Sequence, residues 1–132
     1  MKTHCVRLNP QDDLKIKIIE LCKASGIQAA CVISAVGSLQ HLKLRLANSQ
    51  TVLEKSEKFE VLSLNGTVSI DGVHLHAMVS DSNGQTWGGH LLDGNIIYTT
   101  CELVVLEIDG FKMGREFDAA TGFKELKITK LD

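Results

Sequence analysis

The chain has 132 residues, with 14 Lys+Arg against 16 Asp+Glu, a formal charge of −2 and 44% hydrophobic residues. That length and composition suit one domain spanning 1–132 that buries a core without staples, and they exclude intrinsic disorder. Lysines are interleaved with acids and no basic run occurs, which argues against a phosphate-gripping face. No apolar run is long enough to cross a bilayer, and Met1-Lys2-Thr3-His4 opens no signal peptide, so a cytoplasmic protein is expected.

Thr3 to Leu8 alternates like a first strand. Asn9-Pro10 then reads as a helix start, with Asn9 as N-cap, Pro10 at the first helical position and Asp12-Asp13 in the first turn. Leu14, Ile18, Leu21 and Cys22 fall on one helical face, and Gly26 is the natural stop. From there the pattern is extended. Ala29 to Val36 is a buried-type run ending at Gly37-Ser38, and His41 to Leu46 alternates with Leu42, Leu44 and Leu46 inward. Phe59 to Ile70, His74 to Val79, Asn95 to Ile108 and Glu125 to Leu131 complete the strands. Turn residues separate them at Asn48-Ser49, Asp71-Gly72, Ser82-Asn83-Gly84, Asp93-Gly94 and Asp109-Gly110. One early helix followed by mainly antiparallel strands predicts an α+β fold, the helix packed on a sheet.

Cys5, Cys22, Cys31 and Cys101 lack CxxC spacing and sit in apolar runs, which predicts buried, reduced thiols rather than a redox or zinc motif. The histidines are more informative. In Val73-His74-Leu75-His76-Ala77 the strand period puts both imidazoles on one face. A reversal at Asp81-Ser82-Asn83-Gly84 returns the chain so that His90 comes beside them, and Gly88 and Gly89 let the backbone approach closely. Three imidazoles without a fourth protein ligand describe a metal site with one open position; a metal-free polar pocket is the competing reading. His4 and His41 have no such company and read as surface residues.

Val32-Ile33-Ser34-Ala35-Val36-Gly37-Ser38-Leu39, Phe59-Glu60-Val61-Leu62-Ser63-Leu64-Asn65-Gly66, His74-Leu75-His76-Ala77 and Gly88-Gly89-His90-Leu91 follow in order. With Tyr98-Thr99-Thr100-Cys101-Glu102 and Thr121-Gly122-Phe123, they resemble the plant-and-prokaryote-conserved (PPC) domain over essentially the whole chain. The resemblance implies an antiparallel sheet with a packed helix, assembled as a homotrimer, and a DNA-binding label given to stand-alone members. The histidine pattern is also similar to that of acetolactate decarboxylase, whose related fold holds zinc through an HxH pair and a later histidine. That second likeness implies zinc or another divalent transition metal on His74, His76 and His90, without carrying the decarboxylase reaction. The plant members' AT-hook, with its Arg-Gly-Arg-Pro core, is missing here, where the single proline is Pro10.

Glu60 matches the family's Phe-Glu motif. It is read, in order, as an intersubunit partner for Arg or Lys, an acceptor for a histidine N–H, or an acid/base. Glu102 either orients a histidine or pairs across strands. Arg45 is a solvent-facing residue or an anion clamp, and Trp87 a pocket wall or, better, a packing residue. Arg115-Glu116-Phe117-Asp118 resembles the family's C-terminal hairpin and is expected to pair charges at the surface. Three functions stay open. The first is a trimeric metal- and small-ligand-binding domain, acting if an enzyme as a metal-dependent lyase or hydrolase on a small carbonyl acid with Glu60 or Glu102 as proton carrier. The others are a DNA-associated regulator and an assembly module without chemistry.

Overall fold

A computed structural model describes residues 1–132. Nine strands and one helix follow in the order β1 (Lys2–Leu8), α1 (Leu14–Ser25), β2 (Ala30–Arg45), β3 (Val52–Lys55), β4 (Phe59–Ser69), β5 (Gly72–Ser80), β6 (Thr86–Leu91), β7 (Ile96–Glu107), β8 (Phe111–Asp118) and β9 (Phe123–Lys130). The main sheet runs β1-β7-β2-β4-β5-β6, with β3 paired to β2, and every pairing in it is antiparallel. The strand-rich expectation with one short helix near the N-terminus therefore holds.

The helix begins later than Asn9-Pro10 indicated. Asp13, in extended conformation, is the N-cap: its carboxylate accepts from the Lys15 and Ile16 N–H groups at 3.0 and 3.1 Å and from the Gly94 N–H at 2.6 Å. A carboxylate can satisfy the first turn's orphan donors and a distant loop together, so the preceding residues form a turn instead. Asp13→Ala is expected to cost about 2 kcal/mol, the upper end for a cap, because the Gly94 amide also loses its acceptor; urea denaturation reads it. Gly26 ends the helix in the left-handed region (φ 64°), as expected.

Ala29–Val36 and His41–Leu46 are not two strands. They are one 16-residue strand, β2, with irregularities between Val32 and Ser34 and on either side of Leu39. Gly37 is not a turn residue: its missing side chain lets β7 lie against it at Thr100 and Cys101, where a Cβ would collide. Bulges bend a long strand so that it can serve several neighbours. Thus β2 pairs with β4 at Ala30–Cys31 and again at Gly37–Leu39, while Leu44 and Arg45 near its end pair with Leu91 and His90 of β6. The β2–β4, β4–β5, β5–β6 and β6–β2 pairings form a ring.

One cluster of 23 buried residues fills the interior, joining Leu14, Ile18 and Cys22 of the helix to Leu39, Phe59, Leu75, Ile97 and Leu103 of the sheet. Leu42 and Leu44 point inward as expected, while Leu46 is half-buried. Cys22 and Cys101 are buried, and burial pushes both thiols up to about 11, which keeps them unreactive. Cys5, by contrast, is exposed and Cys31 half-buried. His4 is not a free surface residue either, since its Nε2 lies 3.0 Å from Glu107 with the side chain 9% exposed. Trp87 packs against the core cluster with Lys55 over its ring at 4.6 Å. No helix is long and apolar enough to cross a membrane.

Candidate metal centre

The period of β5 acts as the sequence predicts: Leu75 and Ala77 are buried in the core, and His74 and His76 stand on the opposite face. The β5–β6 register then sets His90 directly across from His76. On the far side of β6, His90 is paired with Arg45 of β2. A row of His76, His90 and Arg45 thus crosses three strands. Gly89 makes this possible, since a Cβ there would lie 2.8 Å from the Arg45 carbonyl oxygen; at Gly88 it would make ordinary contact, 3.4 Å from the Ala77 oxygen. Gly66 of β4 has the same role behind His74, whose carbonyl a Cβ would strike.

The three imidazoles converge. Ring centroids are 5.0 Å apart for His74–His76, 5.1 Å for His74–His90 and 5.6 Å for His76–His90. One ligand nitrogen from each lies within 4.8 Å of the others, and the Nε2 atoms of His74 and His76 are 3.2 Å apart. Two nitrogens bound tetrahedrally to one zinc would be separated by about 3.3 Å. The spacing therefore fits a shared cation without rearrangement of that pair.

Burial, then the charges of His76 and Arg115, push the His74 imidazole below its ordinary pKa, while Glu125 opposes them. His90 is pushed down to about 4, first by burial and then by Arg45 and His74. Both rings are neutral at pH 7, the form that offers a lone pair to a metal. Two buried side-chain polar atoms in the molecule have no hydrogen-bond partner, His90 Nδ1 and Arg45 Nε, and both are here. Such atoms normally cost about 1–3 kcal/mol each, and a bound group beside them would relieve that cost.

The structure does not bring Glu60 or Glu102 to these histidines. Both are exposed. Glu60 pairs with Ser80, four residues along β5 from His76, or about 13 Å of strand. Glu102 pairs with Arg7 and with Val36, nine residues along β2 from Arg45, about 30 Å. In sequence these carboxylates stand out because they interrupt apolar strands; strand alternation explains them as outer-face residues. Beside Asp71 of the β4–β5 turn, which lines one cleft with His74 and Arg115, the acid near the site is Glu125, which lines two. No sequence signal found it, because β9 reaches the histidines only through the tertiary fold. Arg45, Gly88 and Gly89 do border a cleft with all three histidines.

Residues 1–109 match the profile of the Plants and Prokaryotes Conserved (PCC) domain. The chain belongs to that family. It is 45% identical over 128 residues to the bifunctional protein GlmU of Synechococcus sp. (strain JA-2-3B'a(2-13)), covering 97% of this chain and 20% of that protein. The chain thus spans about a fifth of the length of the curated relatives it matches. A hypothetical protein from Salmonella cholerae-suis superposes with a TM-score of 0.94 at 33% identity, over 98% of this chain and 94% of that one. A metal-containing protein from Archaeoglobus fulgidus superposes with a TM-score of 0.79 at 30% identity, over 96% and 94% of the two chains. The PCC match stops before β8 and β9, the hairpin that supplies Arg115 and Glu125.

Proposed function

We propose that this PCC domain is a self-associating domain that binds a divalent transition metal, zinc foremost, through His74, His76 and His90, beside a pocket for a small ligand. The observation that carries the reading is the convergence of three imidazoles from two strands, one of them with a buried ring nitrogen lacking any partner. The metal-containing relative from Archaeoglobus fulgidus supports it. Three protein ligands leave a coordination position for water or ligand, and a metal held so supplies Lewis acidity. Elemental analysis of protein purified from zinc-supplemented cells is expected to give about one metal per chain in wild type and none in the His74→Ala/His76→Ala/His90→Ala variant. A metal-free wild type would overturn the reading.

Self-association, a homotrimer by the family resemblance, has support on the outer sheet face, where Val36, Leu62 and Met78 on adjacent strands are 59%, 50% and 44% exposed. Apolar strand residues gathered on one face mark an interaction surface. Light scattering is expected to give three times the chain mass for wild type and a smaller species for Leu62→Lys; a monomeric wild type would refute it. The DNA-associated reading gains nothing from a net charge of −2.

A further inference from the structure

The β8–β9 hairpin, beyond the part of the chain that matches the PCC profile, has no role in the reading above. It is fastened to the body by the Met113 N–H donating to the Gln28 carbonyl at 2.9 Å and by Arg115 Nη2 donating to Thr67 Oγ1 at 3.1 Å. Thr67 is the cross-strand partner of His74. The hairpin thereby walls a cleft of about 480 Å³ in which His74 and His90 face Arg45, Arg115, Phe123 and Glu125. That volume suits a small organic molecule.

Arginine is scarce in this chain: the only three are Arg7, Arg45 and Arg115. Two of them line this one cleft, from strands seventy residues apart in sequence. Neither is within 4.0 Å of any carboxylate, although Asp71 and Glu125 line the same cleft. Arg45 Nε is buried without a partner, and its guanidinium lies over the Phe123 ring at 6.0 Å, a contact that holds the planar group in place. A half-buried guanidinium fork with no internal acid is arranged for an acid from outside.

We infer that the cleft binds a small monocarboxylic acid, its carboxylate clamped between Arg45 and Arg115 and a second oxygen, oxo or hydroxyl, turned to the three-histidine centre. This deepens the metal reading and rests on it for the second contact alone. The wall selects the class. Arg45, Arg115 and Lys124 face Asp71 and Glu125, an excess of positive charge that a metal on the histidines would raise, which draws an anion. Val73 and Phe123 offer apolar wall to a short carbon chain.

Calorimetric titration of the zinc-loaded full chain with pyruvate, with uncharged pyruvamide and with inorganic phosphate tests the clamp, the metal content of every sample being measured in parallel. Pyruvate is expected to bind at least about ten-fold more tightly than pyruvamide or phosphate. Arg45→Gln and Arg115→Gln should each weaken it about ten-fold or more with zinc content unchanged, and Arg115→Lys should fall between. With zinc bound, equal affinity for pyruvate and pyruvamide, or a preference for phosphate, overturns the clamp. Should the chain take up no zinc yet bind pyruvate in an arginine-dependent way, the metal reading falls and the clamp stands. Neither zinc nor pyruvate bound overturns both.

Discussion

Zinc at roughly a thousand times its dissociation constant is expected to raise the unfolding free energy of the wild-type chain by about 4 kcal/mol. The whole increment should vanish in the triple histidine variant. The physical reason is linkage: a cation held by His74, His76 and His90 binds the folded state, where β5 and β6 hold the imidazoles together, and has no such site in the unfolded chain. Single variants should lower zinc affinity by more than about 100-fold, since even the groups that merely orient ligands are worth 10–100-fold. His90→Ala carries a second signature. It also removes the buried, unpartnered Nδ1, so without metal this variant should lose less stability than the loss of a half-buried ring elsewhere in the sheet. Chemical denaturation with and without zinc measures both. An equal zinc increment in wild type and triple variant would place the metal elsewhere.

The second large effect is expected at Gly66. An added methyl group would strike the His74 carbonyl and lie 2.9 Å from the Leu75 Cα, and these are backbone atoms held in the β4–β5 ladder. Backbone cannot swing aside as a flexible side chain can, so Gly66→Ala is expected to cost about 3 kcal/mol or more. The strand that must shift carries His74 and His76, so metal affinity should fall as well. Gly88→Ala is the control. Its methyl would meet the Ala77 oxygen at 3.4 Å, an ordinary contact, and both stability and metal binding should change little. Thermal unfolding and zinc titration of the two variants separate a crowded backbone from a general intolerance of substitution in this sheet. A Gly66→Ala protein as stable as wild type would show that β4 and β5 can part at this point.

What the sequence alone determined rests on short-range regularities. The two-residue period fixes that His74 and His76 share a face and that Leu75 and Ala77 oppose them, whatever the strand pairs with. The left-handed turn at Gly26 and the alternation of Leu42 and Leu44 are equally local. Local pattern also misled. Gly37-Ser38 resembles a strand end, yet β2 runs through it, because only the partner strand β7 reveals that a missing side chain there serves close approach. Asn9 offers a cap in sequence, whereas Asp13 is the cap because its carboxylate also accepts from the Gly94 N–H, a contact 81 residues away along the chain.

The rest was decided by tertiary structure. Glu60 and Glu102 stand out in sequence because charges interrupt apolar strands, but the sheet puts them on its outer face and away from the histidines. Arg115 reads as a surface charge of a hairpin, and Glu125 only as the start of a strand, until β8 and β9 are seen folded against Thr67 and His74. The periodicity of a strand states which side chains point together, and only its pairing states what they point at. That is why the HxH pair was legible in the order of residues, whereas the arginines and the carboxylate around it required the fold.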